Sequence, residues 1–298
     1  MLQAVIQAGS FSAAARQLGT PLATVSRKIS DLEAHLKARL LNRSSRRLTL
    51  TDAGRDYVSA VSRILELVGE AERAASGEYS APKGDLAITA PIVFGKLHVL
   101  PVIVEFLAIH PDINVRLVQA DRIANLLEDR IDLALRIGRL PDSSLVATRL
   151  GAIGRVACAS PGYFAARGKP REPEELGAHD CITFEGLASP AVWNFVKAKA
   201  ELPVAIRSRL AVNTAEAAIA AAEAGAGVTR VLSYQIAEAI SAGRLVTALE
   251  QYEPPPWPVN LVHAGQGPLP VKLRAFLDFA APRLRARLAR ASSLFADS

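Results

Sequence analysis

Residues 9–54 read GSFSAAARQLGTPLATVSRKISDLEAHLKARLLNRSSRRLTLTDAG, and the order of hydroxyl, glycine and proline residues in this stretch decides how the beginning of the chain folds. Ser12 is expected to cap a short helix through Leu18, in which Ala14, Ala15 and Leu18 form a small-residue face suited to close packing. Gly19 ends that helix. Thr20 supplies a second cap with Pro21 at the first helical position, so the chain restarts as a helix after a tight turn. Val25, Ile29, Leu32 and Leu36 recur at helical spacing and commit one face of this second helix to a core. Near its start the other face keeps Pro21, Leu22, Thr24 and Lys28, flanked by Ser26 and Arg27, a mixture able to touch phosphates, base edges and thymine methyls.

Charge supports a nucleic-acid partner for this segment. The chain has 298 residues and a formal net charge of +6. Residues 1–50 hold eight Lys/Arg against two acids, whereas the remaining 248 residues hold 27 of each sign. All the excess positive charge therefore sits in the first sixth of the chain, as expected of a small DNA-binding module joined to a neutral domain. Beyond the second helix, residues 42–47 are polar and basic and Leu48 to Thr51 alternates as a strand does, which predicts a β-hairpin wing. Arg43, Arg46 and Arg47 would reach phosphates or a narrow minor groove beside the helix.

Over Gly9 to Gly54 the sequence resembles, without interruption, the DNA-binding segment of LysR-type transcription regulators. The resemblance implies a winged helix-turn-helix over 1–54 whose helix from Pro21 enters the major groove of double-stranded DNA, with Thr24, Ser26 and Arg27 among the contacts. Leu22 and Ala23 stand where Gln-Pro is commoner, so base reading here leans on apolar contact. The full DNA-binding set is Ser12, Pro21, Leu22, Ala23, Thr24, Ser26, Arg27, Lys28, Arg43, Ser44, Arg46 and Arg47. Relative to the family pattern roughly ten residues are missing ahead of Leu2 to Gly9, which implies a first helix short by about two to three turns, either through an upstream start or a truncated copy.

Thr51 is placed to cap a long helix to about Ser76, in which Tyr57, Val61, Ile64, Val68, Ala71 and Ala75 keep a heptad spacing. That pattern suits either an amphipathic helix packed on its own domain or a helix pair, and the resemblance favours a dimerising linker over 51–78 in a homodimer or homotetramer. A hinge follows at 79–84.

From Asp85 strands and helices alternate, giving a βαβαβ unit from Leu86 to Ile137 and an α/β fold class. Its first helix, Pro91 to His110, is read with Leu97, Leu100, Val104 and Leu107 inward, and its second runs from Ile123 to Glu128. Further strands are expected at Val156–Ala159, Cys181–Phe184, Ala205–Val212 and Val259–His263, with helices at Thr214–Ala224, Tyr234–Ala242 and Val271–Ala289. This stretch, 85–298, resembles the family's effector-binding domain, itself similar to periplasmic solute-binding proteins. The resemblance divides it into lobe one, 85–160 and 263–298, and lobe two, 161–262, with a small-molecule effector between them.

Carboxyl ends of strands and helix N-termini then supply the effector contacts: Thr89, Ala90, Pro91, Phe94, Arg136, Gly138, Asn213, Thr214 and, in the second lobe, Thr229. Asn213 and Thr214 equally serve as helix caps, and Arg136 can pair with a neighbouring acid. An organic anion is mildly preferred, because helix N-termini favour negative charge. Arg283, Arg285, Arg287 and Arg290 read either as a solvated helix face or as a second DNA patch.

No phosphate loop, dinucleotide fingerprint, metalloprotease motif or nucleophile elbow occurs, so neither catalysis nor a cofactor is expected. Cys158 and Cys181 lack CxxC spacing and read as buried residues, and no metal site is expected. No uninterrupted apolar stretch approaches 18 residues and no secretory signal precedes Ser10, which predicts a cytoplasmic protein without a membrane partner. DNA, the effector, a second copy of the chain and RNA polymerase are the expected partners. A solute-binding protein is the rival reading for the large domain alone.

Overall fold

The computed structural model describes residues 1–43, 48–75, 81–121, 126, 129, 131–140, 145–184, 192–265, 269–293 and 295. The chain forms two compact units, Met1–Ala81 and Pro82–Ser298.

In the first unit, α1 (Leu2–Gln7), α2 (Phe11–Gln17) and α3 (Leu22–Leu36) precede a hairpin of β1 (Leu41–Arg43) and β2 (Leu48–Leu50), and α4 (Asp52–Ala75) follows. Leu2, Val5, Ala14, Ala15, Val25, Ile29, Leu40 and Leu41 form the core, with Leu32, Leu36, Leu48, Tyr57 and Val58 packed around it. Leu18 is 40% exposed, so it does not join Ala14 and Ala15 in that packing. The Thr51 hydroxyl accepts from the Gly54 N–H at 2.9 Å and donates to the Arg39 carbonyl at 2.6 Å, which starts α4 where the sequence places it. Along α4, Tyr57 and Val61 are half-buried, whereas Ile64 and Val68 are exposed. The side chains of Ala71 and Ala75, and residues 76–80 of the expected hinge, lie outside the described residues.

The second unit contains two five-stranded sheets. Sheet one has the order β4-β3-β5-β14-β6, from β3 (Gly84–Ala90), β4 (Ile113–Gln119), β5 (Leu133–Ile137), β6 (Leu145–Ile153) and β14 (Trp257–Ala264). Strand β3 runs parallel to both β4 and β5, the parallel unit that the alternation predicts. Sheet two has the order β11-β8-β12-β7-β13, from β7 (Arg155–Ala159), β8 (Cys181–Phe184), β11 (Ser208–Val212), β12 (Val228–Leu232) and β13 (Val246–Ala248). A separate hairpin pairs β9 (Val192–Lys197) with β10 (Ala200–Ala205). The helices are α5 (Ile92–Phe94), α6 (Leu100–Ile109), α7 (Pro161–Arg167), α8 (Ala215–Glu223), α9 (Ser233–Ser241) and α10 (Val271–Ser293).

Several expectations shift. The chain leaves sheet one at Gly154, between β6 and β7, and returns at Trp257, so β7 belongs to lobe two and β14 to lobe one, whereas the sequence reading divides the lobes at 160 and 263. The strand expected at Ala205–Val212 is two strands, β10 and β11, in different sheets. The expected helix at 123–128 lies, apart from Leu126, outside the described residues.

The largest correction concerns the first helix of this unit. Leu97, Leu100 and Val104 point outward, 42%, 43% and 60% exposed, while Val99, Val102, Ile103 and Phe106 fill the core. A π turn at Gly95–Val99 joins α5 to α6. The run Ile92–Ile109 has a mean hydropathy of 2.0 and is long enough to cross a membrane, although Lys96, His98 and Glu105 interrupt it and part of it is core. A helix apolar all round offers two plausible inward faces, and periodicity cannot choose between them.

Candidate nucleic-acid interface and effector site

The helix-turn-helix is built by local capping. Ser10, not Ser12, caps α2: it is extended at φ −158°, and its side chain accepts from the Ala13 N–H at 3.1 Å. Ser12 is exposed in the first turn. Gly19, at φ +60°, turns the chain in the left-handed region that glycine tolerates. Helix α3 begins at Leu22 with Pro21 as its flanking residue, and the Thr20 hydroxyl donates to the Leu18 carbonyl at 3.1 Å instead of capping α3.

With Val25 and Ile29 buried, Pro21, Leu22, Ala23, Arg27 and Lys28 are exposed and Thr24 and Ser26 are half-buried. The face therefore carries two cations and the exposed Leu22, at the helix end whose first N–H groups lack intrahelical acceptors. Antiparallel pairing of Leu41 with Leu50 and Arg43 with Leu48 forms the base of the wing. The Arg43 side chain and residues Ser44, Arg46 and Arg47 lie outside the described residues. Sequence reading missed the part played by Glu33, whose Oε1 accepts from the Leu40 and Leu41 N–H groups at 2.8 and 3.1 Å and ties α3 to the hairpin.

In the second unit the carboxyl ends of β3, β4 and β5 bring Thr89–Pro91, Gln119 and Arg136–Gly138 to one edge of sheet one. The carboxyl ends of β8, β11 and β12 bring the starts of α8 and α9 to an edge of sheet two. These edges meet: Lys96 Nζ lies 2.9 Å from Glu216 Oε1, and the Phe94 and Tyr234 rings stack edge to face at 5.2 Å. Asp121 Oδ1 accepts from the Ile92 N–H at 3.0 Å, and a Cβ on Gly95 would come within 2.9 Å of Gln119 Nε2, so this corner is closely packed.

Among the expected effector residues, Thr89, Ala90 and Phe94 are buried at this edge, Phe94 completely. Asn213 is exposed beside Thr214, whose hydroxyl caps α8 by accepting from the Ala217 N–H at 3.2 Å. Gly138, at φ +114°, donates its N–H to the Pro258 carbonyl at 2.9 Å. Desolvation lowers the pKa of Arg136, opposed by the charge of Asp129. Thr229 is enclosed, and its hydroxyl donates to the Ile182 carbonyl at 3.1 Å, a bond inside the sheet. Asp121, Glu216 and Tyr234 belong to the same edge and carried no sequence signal, because only folding brings them beside Pro91–Phe94. Burial raises the Tyr234 pKa, and the charge of Asp121 adds to the rise.

The arginines of α10 have structural partners. Arg283 and Arg287 reach Glu105 on α6 at 3.2 and 3.4 Å, and Arg285 donates to the Arg149 carbonyl on β6 at 3.0 Å. They fasten α10 to lobe one. Cys158 and Cys181 are fully buried, and burial pushes the Cys181 thiol up to about 12. Among the described residues no group of three His, Cys, Asp or Glu side chains could hold a metal ion.

Comparison with known proteins agrees with this geometry. Residues 1–55 match the bacterial regulatory helix-turn-helix protein, lysR family, and residues 80–285 match the LysR substrate binding domain. The chain is 36% identical to the HTH-type transcriptional regulator PtxR of Pseudomonas aeruginosa, over 92% of this chain and 88% of that one. It is 34% identical to the HTH-type transcriptional regulator CrgA of Neisseria meningitidis serogroup B, over 92% of each. The solved structure of CrgA superposes with a TM-score of 0.62 at 32% identity, covering 94% of this chain and 96% of that chain. Full-length AphB, a Vibrio cholerae virulence activator, superposes with a TM-score of 0.61 at 28% identity, with the same coverage.

Proposed function

The chain belongs to the LysR family of bacterial transcription regulators, and from that membership we propose that α3 reads operator DNA while a small organic anion between the lobes sets the protein's regulatory state. It is a DNA-binding transcriptional regulator with a substrate-binding domain. The observation that carries the finer reading is the sidedness of α3: Val25 and Ile29 are buried while Leu22, Ala23, Arg27 and Lys28 stand exposed around its N-terminus. Arg27 and Lys28 neutralise phosphates, Leu22 and Ala23 touch thymine methyls, and Thr24 and Ser26 approach base edges. Arg43, Ser44, Arg46 and Arg47 supply further contacts to the DNA backbone.

Exposed apolar side chains at Ile64 and Val68 on α4, and at Leu97, Leu100 and Val104, support assembly with a second copy as a homodimer or homotetramer. In the large unit Thr89, Ala90, Pro91, Arg136, Gly138, Asn213 and Thr214 surround the effector. The effector acts by binding one arrangement of the lobes better than another, which changes how the paired DNA readers meet their half-sites and RNA polymerase. No catalytic step is assigned, and the cytoplasm is the compartment in which such a protein meets DNA.

The test is binding of the purified protein to DNA spanning its own upstream intergenic region, across a salt series. Binding that weakens steeply with salt, with the slope reduced by about one in Arg27→Ala, supports the reading. Equal affinity for this DNA and unrelated DNA, unchanged by Arg27→Ala and Leu22→Ser, refutes it.

A further inference from the structure

We infer that Arg155 is the anchor for the carboxylate of the effector, holding a small organic monocarboxylate at the seam where the chain crosses between the lobes. The inference rests on the reading of the inter-lobe region as the effector site and names its charged recognition element.

Arg155 opens β7, one residue after the chain leaves sheet one, and Trp257 opens β14, where it returns. The guanidinium carbon lies 3.7 Å from the Trp257 ring centroid. Both residues stand at the edges already described: Leu232, before the start of α9, pairs with Arg155, and the Ser233 N–H donates to the Gly154 carbonyl at 2.9 Å. On the other side Pro258, next to Trp257, holds the Gly138 N–H.

The charge balance at this seam is incomplete. Arg230 repels Arg155 and Glu253 attracts it. Glu253 is already engaged, accepting from Arg230 Nε with both oxygens at 3.0 and 3.2 Å, and the Arg230 and Glu253 side chains are only 4% and 8% exposed. Glu253 is thus hydrogen-bonded to Arg230 and acts on Arg155 only through its charge. Arg155 Nε is enclosed and has no hydrogen-bond partner, and burial brings the group's pKa down to about 10. A desolvated cationic donor without an acceptor is unfavourable, and an anion arriving from the inter-lobe space would complete it. A single uncompensated positive charge matches a monocarboxylate better than a phosphate dianion, and the planar fork of arginine fits a carboxylate edge. Stacking on Trp257 holds that fork in one orientation.

Calorimetric melting of the full-length protein tests this, with acetate and benzoate as probes and inorganic phosphate at equal ionic strength as the control. In the wild type at least one monocarboxylate should raise Tm saturably and phosphate should not. Without added anion Arg155→Met should melt at or above the wild-type temperature, because it removes a half-buried cation whose enclosed Nε has no acceptor, and it should weaken the carboxylate by about tenfold or more. Arg155→Lys, which keeps the charge without the fork, should fall between. The inference is overturned if neither carboxylate shifts the wild type, or if Arg155→Met melts several degrees lower without anion, which would make Arg155 a structural staple on Trp257. If Arg155→Met retains wild-type affinity while Asn213→Ala loses it, the anchor is wrong and the inter-lobe reading stands. If neither substitution changes the affinity, both fall.

Discussion

Gly54, in the first turn of α4, lies directly against Leu40: a Cβ at Gly54 would stand 2.8 Å from the Leu40 carbonyl carbon. This contact lets α4 pass beside the hairpin that forms the wing. Gly54→Ala should destabilise the first unit by about 1–3 kcal/mol through overpacking. Thermal unfolding of residues reporting on this unit, read by tryptophan-independent circular dichroism, should show an earlier loss of helix, and an unchanged melting profile would contradict the close approach.

Glu33 organises the same hairpin through its two backbone bonds to Leu40 and Leu41. Glu33→Ala leaves both N–H groups without that acceptor and should cost about 1–3 kcal/mol. Glu33→Gln keeps a carbonyl oxygen in place and should recover part of the loss. Equal stability for all three proteins in urea titration would rule this role out.

Leu100 and Val104, 43% and 60% exposed, belong to an outward apolar stripe that begins at Leu97. Replacing both with glutamate should weaken self-association by about tenfold or more, since charge at an apolar contact must be desolvated. Sedimentation velocity over a concentration series reads the association, and the melting temperature of the dissociated form should stay near the wild-type value. Unchanged association would mean that this stripe is not the contact.

His98 packs against Phe94 and Tyr234, its Nε2 enclosed without a partner. Burial, reinforced by the charge of Arg287, lowers its pKa to about 4. An unfolded histidine titrates near about 6.5, so the folded state binds its proton less readily. The resulting stability is fully present above about 6.5 and is lost as the pH falls from there toward 4. His98→Leu should flatten the stability profile across that window, as followed by urea unfolding at successive pH values. A wild-type profile already flat there would show that His98 does not contribute.

The site was legible in uneven measure. The Gly19 turn, the Val25 and Ile29 face and the Thr51 cap are local, and all stand in the folded chain, whereas Pro21 flanks α3 instead of opening it and Thr20 does not cap it. Ser10 displaced Ser12 as the cap because capping depends on which hydroxyl precedes helical dihedrals, and Gly9, at φ +69°, sets that start two residues earlier. The alternation from β3 to β5 was equally plain, yet β6, β9, β12 and β13 were not foreseen, since their sequences do not alternate cleanly between apolar and polar residues.

By itself the sequence determined the helix-turn-helix, the excess charge concentrated in its first fifty residues and the α/β class of the remainder, because caps, turn residues and apolar spacing act over a few residues. Only the tertiary structure decided which face of the apolar helix after Pro91 turns inward, where the chain crosses between sheets, that Arg155 meets Trp257, and that Arg230 takes up Glu253. Those outcomes depend on pairing between segments far apart in the chain, where packing and desolvation choose among arrangements that local pattern leaves equivalent.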